Sequence, residues 1–221
     1  MKKKNILTIE TSLDRILLAI IRNEEVLVKT LVSSRSIEED INTLLSSVIK
    51  EAAIKFNEID IIFVSLGPGS FTGIRIGISV AKAIAISTGA KIFGYSNFDS
   101  VLCQFFSSNK IEKNNKIQVL IKGPGDEFFK KIFINNNFQK KNDIITKSEL
   151  LKTKNTTSYL NVGSFLDTFN IKNYFFSLPT ESGIKYMIRN QNKNLKINFS
   201  KSLSPIYIRE HYAKKNYREN L

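Results

Sequence analysis

The sequence predicts an α/β protein with a mixed sheet in its first half, and three observations carry that prediction. Over the first hundred residues, short runs rich in β-branched residues alternate with longer stretches of helical periodicity. One of those runs, residues 59–66, is apolar nearly throughout, as expected for a strand covered on both faces. The helical stretches lie between strands, and strands joined by crossover helices run parallel.

Residues 5–10 are the first expected strand, followed by a polar turn at residues 11–15. Apolar runs at 16–21 and 26–31 are split by Arg22-Asn23-Glu24-Glu25, so a hairpin follows and three strands open the chain. Ser36 and Glu39 then have the spacing of a capping box. Behind it Ile37, Ile41, Leu44, Leu45, Val48, Ile49, Ala52, Ala53 and Phe56 form one stripe at helical spacing. After the strand at 59–66, a glycine loop at 67–73 leads into a second helix ending near Gly89. Residues 91–95 are a further strand, and Asn97 is expected to cap a third helix. The resulting order, βββαβαβ and then α, is that of the half-module of actin and the sugar kinases, an analogy of fold alone.

The second half is sparser. Strands are expected at 117–122 and 128–135 around the turn Gly123-Pro124-Gly125-Asp126, with a short one at 159–162. Residues 181–194 read as a helix entered after Pro179, and Ser204-Pro205-Ile206-Tyr207-Ile208-Arg209 precedes a charged tail. The reading is therefore two-lobed: an N-terminal lobe of βββαβα type over 1–100, and a smaller, reduced second lobe over 101–221.

Composition narrows the function classes. With 42% hydrophobic residues in 221, the chain can bury a proper core. Cys103 is the only cysteine, so no internal disulfide can form, which fits a reducing compartment. The basic start is followed by an apolar run broken at Glu10, Asp14 and Arg15, unlike a secretion signal. No segment approaches the roughly 20 apolar residues of a membrane span. The expectation is a cytoplasmic protein that does not engage membranes. The net charge of +13 raises nucleic acid as a partner, but lysines scattered through Asn- and Ile-rich sequence, as at 110–116, favour compositional drift.

Two segments could meet phosphate. Glu10-Thr11-Ser12 offers one carboxylate and two hydroxyls, too few for a cation's shell without several waters, so an ordinary hairpin turn is favoured. The loop Gly67, Pro68, Gly69, Ser70, Phe71, Thr72, Gly73, with Arg75 already inside the helix, aims a helix N-terminus outward but lacks the Gly-Lys-Ser/Thr of a P-loop. Catalytic apparatus is thin: the single histidine, His211, lies in the tail. Glu10, Asp99, Asp126, Glu127 and Glu181 show no pairing. No catalytic residue, metal ligand set or cofactor site is assigned.

The string GPGSFTGIRIG at 67–77 resembles the signature of the TsaB (YeaZ) family, and NILTIETS at 5–12 and SPIYIR at 204–209 are similar to that family's start and tail. The resemblance covers residues 1 to about 100 and 204–209. It implies an actin-like (ASKHA) two-lobed fold and a role beside TsaD, the catalytic paralogue that forms threonylcarbamoyladenosine in tRNA. It implies TsaD as heterodimer partner, TsaE in a larger complex, tRNA as substrate of that complex, and a homodimer as the state open to the chain alone. The sequence departs from the family pattern at Glu10, usually Asp. It departs also at 35–39, where a His is usual, and at 122–125, where an Asp-Ala-Arg segment is usual. Two other readings stay open: a nucleotide-dependent transferase or glycoprotease-class peptidase acting alone, and a tRNA-binding module.

The second helix suggests where a partner would sit. Ile74, Gly77, Ile78, Ala81 and Ala85 share one side, and Ile76, Val80, Ala83 and Ile84 another, leaving a polar strip of Arg75, Ser79 and Lys82. A surface helix needs an apolar stripe of only roughly 100°. The bulky side is expected on the sheet. The small-residue side, with Leu45 and Val48 of the first helix, is expected to face the partner.

Overall fold

Strands β1 (Ile6–Leu13), β2 (Arg15–Arg22) and β3 (Glu25–Leu31) form an antiparallel meander. The computed structural model describes residues 4–32, 36–109, 116–152, 159–166, 170–189 and 197–208. The β2–β3 turn closes on Asn23 and Glu24, both at positive φ (51° and 72°). That pairing matches the right-handed twist of a two-residue hairpin. β1 runs three residues past its expected end, through a bulge between Glu10 and Leu13, so Thr11 and Ser12 belong to the strand rather than to a turn.

Helix α1 (Ile37–Glu51) starts where predicted. Ser36 Oγ accepts the Glu39 N–H at 3.2 Å, and Glu38, Glu39 and Asp40 sit in the first turn, where the helix dipole favours negative charge. β4 (Ile61–Ser65), α2 (Phe71–Thr88) and β5 (Lys91–Tyr95) add two parallel strands. The first sheet has the order β3-β2-β1-β4-β5. Helix α3 (Asn97–Ser108) is capped by Ser96, whose side chain accepts the Phe98 N–H, and not by Asn97 as the sequence suggested. The Asn97 side chain is engaged elsewhere.

The second sheet repeats the first strand for strand. β6 (Ile117–Lys122), β7 (Glu127–Ile134) and β8 (Asn137–Thr146) form an antiparallel meander, and β9 (Leu160–Gly163) and β10 (Tyr174–Phe176) add in parallel, giving β10-β9-β6-β7-β8. Sequence reasoning missed β8 and β10. The β7–β8 turn, Asn135-Asn136, carries positive φ at both positions (51° and 62°), so it is the hairpin signal that could have found β8. The second lobe is reduced in its helices rather than its strands: α4 (Lys147–Lys152) has 6 residues at the place where α1 has 15. Helix α5 (Glu181–Arg189) follows β10. The sequence carried this helix on to 194, and that extension lies outside the described residues.

The elements stack in layers. α1 and α2 cover one face of the first sheet, around Leu7, Ile9, Ile62 and Val64. α3 and α5 fill the space between the two sheets, with Val101, Leu102 and Met187 packed against Leu17 and Ala19 on one side and Val119 and Val162 on the other. α4 supplies Leu150 to the outer face of the second sheet. β2 shows why its sequence is apolar throughout: Ile16, Leu18 and Ile20 point to α1 and α2, while Leu17, Ala19 and Ile21 point to α3 and α5. Period-two alternation is lost when both faces are covered.

Helix α2 corrects one expectation. Its 18 residues are long and apolar enough, by length and composition alone, to cross a membrane. A third of it is buried inside the protein, and one side packs on the first sheet.

Candidate functional site

The glycine loop closes onto the hairpin shoulder rather than opening toward a ligand. Ser70 N donates to the Ser12 carbonyl at 2.8 Å, and Thr11 Oγ1 donates to the Gly73 carbonyl at 2.7 Å. A Cβ on Gly73 would strike the Thr11 carbonyl, and one on Gly69 the Ser12 carbonyl. Only glycine permits such close backbone approach. The first-turn donors of α2 are partly spent: Gly73 N reaches Ser70 Oγ at 3.2 Å and Ile74 N reaches Ser70 O at 2.9 Å. Between loop and hairpin the space is filled by protein, which favours the structural role of both segments over a phosphate cradle.

Asn97 ties this arrangement together. Its Nδ2 donates to Ser12 Oγ at 2.8 Å and to the Pro68 carbonyl at 2.9 Å, and its Oδ1 accepts Ser65 Oγ at 2.7 Å. Its own N–H donates to the Gly67 carbonyl at 2.7 Å. Beside it Glu10 is buried, with Oε1 accepting Ser12 N, Ser12 Oγ and Leu13 N at 2.6, 2.8 and 3.0 Å. Burial raises its pKa; the hydrogen bonds from Ser12 and Leu13 and the nearby Arg15 charge oppose the rise. Arg15 itself reaches across to the Pro179 carbonyl.

The C-terminal motif docks on the glycine-loop motif. Ile206 N donates to the Leu66 carbonyl at 2.7 Å, and Ser200 exchanges both backbone hydrogen bonds with Gly94 at 2.8 Å. Tyr207 packs on Phe71 with ring centroids 5.1 Å apart, while the Arg75 guanidinium lies 3.8 Å from the Phe71 centroid and donates to Tyr207 Oη at 3.2 Å. Two sequence stretches more than a hundred residues apart are thus one structural unit.

The side of α2 expected to face a partner packs on the chain's own sheet instead. Ile74, Gly77, Ile78 and Ala81 are buried against the chain's own sheet, as are Leu45 and Val48 of α1; Ala85 is half-buried. The physical reason is clearance. α2 crosses so close to β1 that Gly77 lies over Thr11 Oγ1, leaving no room for a β-branched residue there. Of the bulkier set, Ile84 is buried, Ile76 and Val80 are half-buried against the same core and Ala83 is exposed; nearby Ile86 is 86% exposed.

Two clefts accompany these features. One of about 320 Å³ lies between the first hairpin and the second sheet, lined by Asp14, Lys122, Asp126, Phe128 and Phe165 among others. The other, about 510 Å³, lies between the start of α3, the β7–β8 hairpin and the 198–206 segment, and it contains Asp99 and Lys131. Among the described residues no group of three or more His, Cys, Asp or Glu side chains could hold a metal. Cys103 is buried, and His211 lies outside the described residues. Sequence reasoning named Asp99 but had no signal for Lys131, which the β7–β8 hairpin brings to the same cleft.

Comparison with solved structures gives the fold. YeaZ from Pseudomonas aeruginosa superposes with a TM-score of 0.70 over 92% of this chain and 99% of that one, at 14% identity. A second solved protein, described as similar to peptidase YeaZ from the same organism, gives 0.70 over 93% and 100% at 15% identity. The family model for TsaD, tRNA N6-adenosine threonylcarbamoyltransferase, matches residues 28–129. The tRNA threonylcarbamoyladenosine biosynthesis protein TsaB of Buchnera aphidicola subsp. Schizaphis graminum is 32% identical over 118 residues, covering 52% of this chain and 53% of that protein. Over about half of its length the chain is similar to TsaB, and its fold is that of YeaZ. Its mixed α/β architecture, with two five-stranded sheets, is of the fold class the sequence predicted. Curated tRNA N6-adenosine threonylcarbamoyltransferases also match, at 35% identity in Ehrlichia chaffeensis and 27% in Geotalea uraniireducens, over 45% and 48% of this chain. The chain spans only about a third to a half of the length of these curated relatives: 33%, 36% and 53%.

Two measurements test this geometry. Gly73→Ala should destabilise the fold by about 3 kcal/mol, the upper range for overpacking, because a carbonyl cannot move aside as a side chain can. Exposed Ser79→Ala should stay within about 0.5 kcal/mol, both read from urea midpoints. Asp99, 7% exposed, has its pKa pushed up to about 7 by burial, with Lys131 and the Ser96 N–H pulling it back only partly. Between its ordinary value and about 7 the folded chain keeps a proton that the unfolded chain has lost. Stability should therefore fall as pH rises through that window, by at most about 4 kcal/mol. Asp99→Asn should flatten this part of the profile in pH-dependent denaturation.

Proposed function

We propose that the chain is a non-catalytic partner subunit that binds a TsaD-type tRNA N6-adenosine threonylcarbamoyltransferase and supports its action on tRNA. The observation that carries this reading is the outer stripe of α2. One side of the helix is filled by the chain's own sheet; beyond it Ile76 and Val80 are half-buried against the same core, Ala83 is exposed, and Ile86 stands 86% exposed beside Arg75, Ser79 and Lys82. The apolar surface that α2 leaves outside the core is what a partner would cover. In this reading residues 1–100 form the docking lobe, 101–221 brace it from behind, and the complex works in the cytoplasm, where its tRNA substrate is.

Further support comes from the hairpin and glycine loop, whose polar groups are engaged with one another instead of aimed at a shared reacting centre. The similarity to TsaB supports a TsaD-type partner, and TsaE would join the same assembly. The isolated chain would then turn over nothing with ATP and tRNA.

The test is co-purification with the cell's own TsaD, using two variants of one helix. Ile86→Asp should leave circular dichroism and urea midpoint near wild type, as exposed substitutions do within about 0.5 kcal/mol, while weakening capture of TsaD at least about tenfold. Ala81→Arg should unfold the protein, since it places an unpaired charge at a fully buried position, a cost of about 3–5 kcal/mol. Normal TsaD capture by a folded Ile86→Asp chain would move the docking face elsewhere.

A further inference from the structure

We propose that the cleft between α3 and the β7–β8 hairpin binds a small zwitterion of the amino-acid class, its ammonium on Asp99 and its carboxylate on Lys131. This inference is independent of the docking face on α2.

Two opposite charges share this cleft without forming a direct ion pair. Asp99 enters from the first turn of α3 and Lys131 from β7; both line the cavity, and no direct ion pair joins them. The Lys131 ammonium instead lies over aromatic rings, 5.1 Å from the Phe138 centroid and 5.7 Å from that of Phe98. Each charge is also short of solvent. Burial raises the Asp99 pKa and lowers that of Lys131, and their mutual attraction offsets neither shift fully. Asp99 is buried with the Ser96 N–H as its hydrogen-bond donor, and Lys131 is half-buried; a ligand that brings each an opposite charge would offset their desolvation.

The nature of that ligand follows from what the cleft would do to each alternative. A simple anion would satisfy Lys131 but lie against the Asp99 carboxylate. A simple cation would satisfy Asp99 and face both Lys131 and Lys140. A divalent metal lacks ligands, because Asp99 is the one carboxylate lining the cleft and no group of three His, Cys, Asp or Glu side chains gathers among the described residues. A molecule with one ammonium and one carboxylate meets both charges at once. The remaining lining offers hydroxyls and amides from Ser96, Asn136, Asn198 and Ser202, over apolar surface from Leu66 and Phe133. At about 510 Å³ the cleft has room for a side chain beyond the zwitterionic end, within the usual range of ligand sites.

The experiment uses the intact chain and the twenty standard amino acids, each at millimolar concentration, with binding read by titration calorimetry and thermal shift. At least one amino acid is expected to bind and raise Tm. Its methyl ester, which lacks the carboxylate, and its N-acetyl derivative, which lacks the ammonium, should each bind at least about tenfold more weakly. Lys131→Gln and Asp99→Asn should reproduce those two losses. If the buried Asp99→Asn chain fails to fold, the derivative series against wild type decides by itself. Absence of binding by all twenty overturns the proposal. So does an N-acetyl derivative that binds as well as its parent, which would reveal an anion site, or an ester that does so, which would reveal a cation site.

Discussion

The amide of Asn97 is the interaction on which the rest of the structure depends. One side chain holds the hairpin shoulder through Ser12, the end of β4 through Ser65 and the glycine loop through Pro68. All of these groups are buried, so breaking the knot would leave several donors and acceptors unpaired at once, at about 1–3 kcal/mol each. Asn97 also begins α3, the helix that enters the space between the two sheets. The position of α2 on the first sheet and the position of α3 against the second are therefore set by the same residue.

From that knot outward the molecule is braced by few but specific contacts. Gln104 on α3 accepts the N–H groups of Thr180 and Gly183 at 2.8 and 3.1 Å, capping α5 from a neighbouring helix. Ser177 Oγ donates to the Val101 carbonyl at 2.7 Å, and Arg189 meets Glu24 at 3.2 Å on the surface. The buried contacts carry more weight than the exposed ion pair, which is screened by solvent. A chain braced in this way presents α2 on a rigid support, as the proposed docking role requires.

How much of this was legible in the sequence differs by element. The first lobe was clear because its signals are local: the Ser36 cap, the apolar stripe of α1 (of which Ala52, Ala53 and Phe56 fall beyond the helix end at Glu51) and the β-branched run of β4 each declare themselves within a few residues. The second lobe was obscure because β8 is largely polar and partly exposed, and β10 is three residues long. Asn97 was assigned to a cap because nothing local reveals that its partners lie 29, 32 and 85 residues away. The face of α2 was misjudged for a related reason. Periodicity counts apolar positions but does not say which apolar side must come within contact of a backbone, and Gly77 and Ala81 answer that question through β1. The meeting of Asp99 and Lys131 depends on the path of the β7–β8 hairpin, which no local pattern encodes.

The strap formed by residues 197–208 gives the chain a temporal order. Gly94 and Leu66 receive their last backbone partners from Ser200 and Ile206, so the first sheet is completed by residues that leave the ribosome more than a hundred positions later. At synthesis rates of about 5–20 residues per second, the glycine loop waits several seconds or longer with its outer side uncovered. Such distant closure also raises the entropic cost of finishing the fold and slows it. During that interval α2 is exposed on its apolar stripe and lacks Tyr207 over Phe71. The nascent first lobe is thus the stage of this protein's life most in need of shielding, by a chaperone or by early assembly.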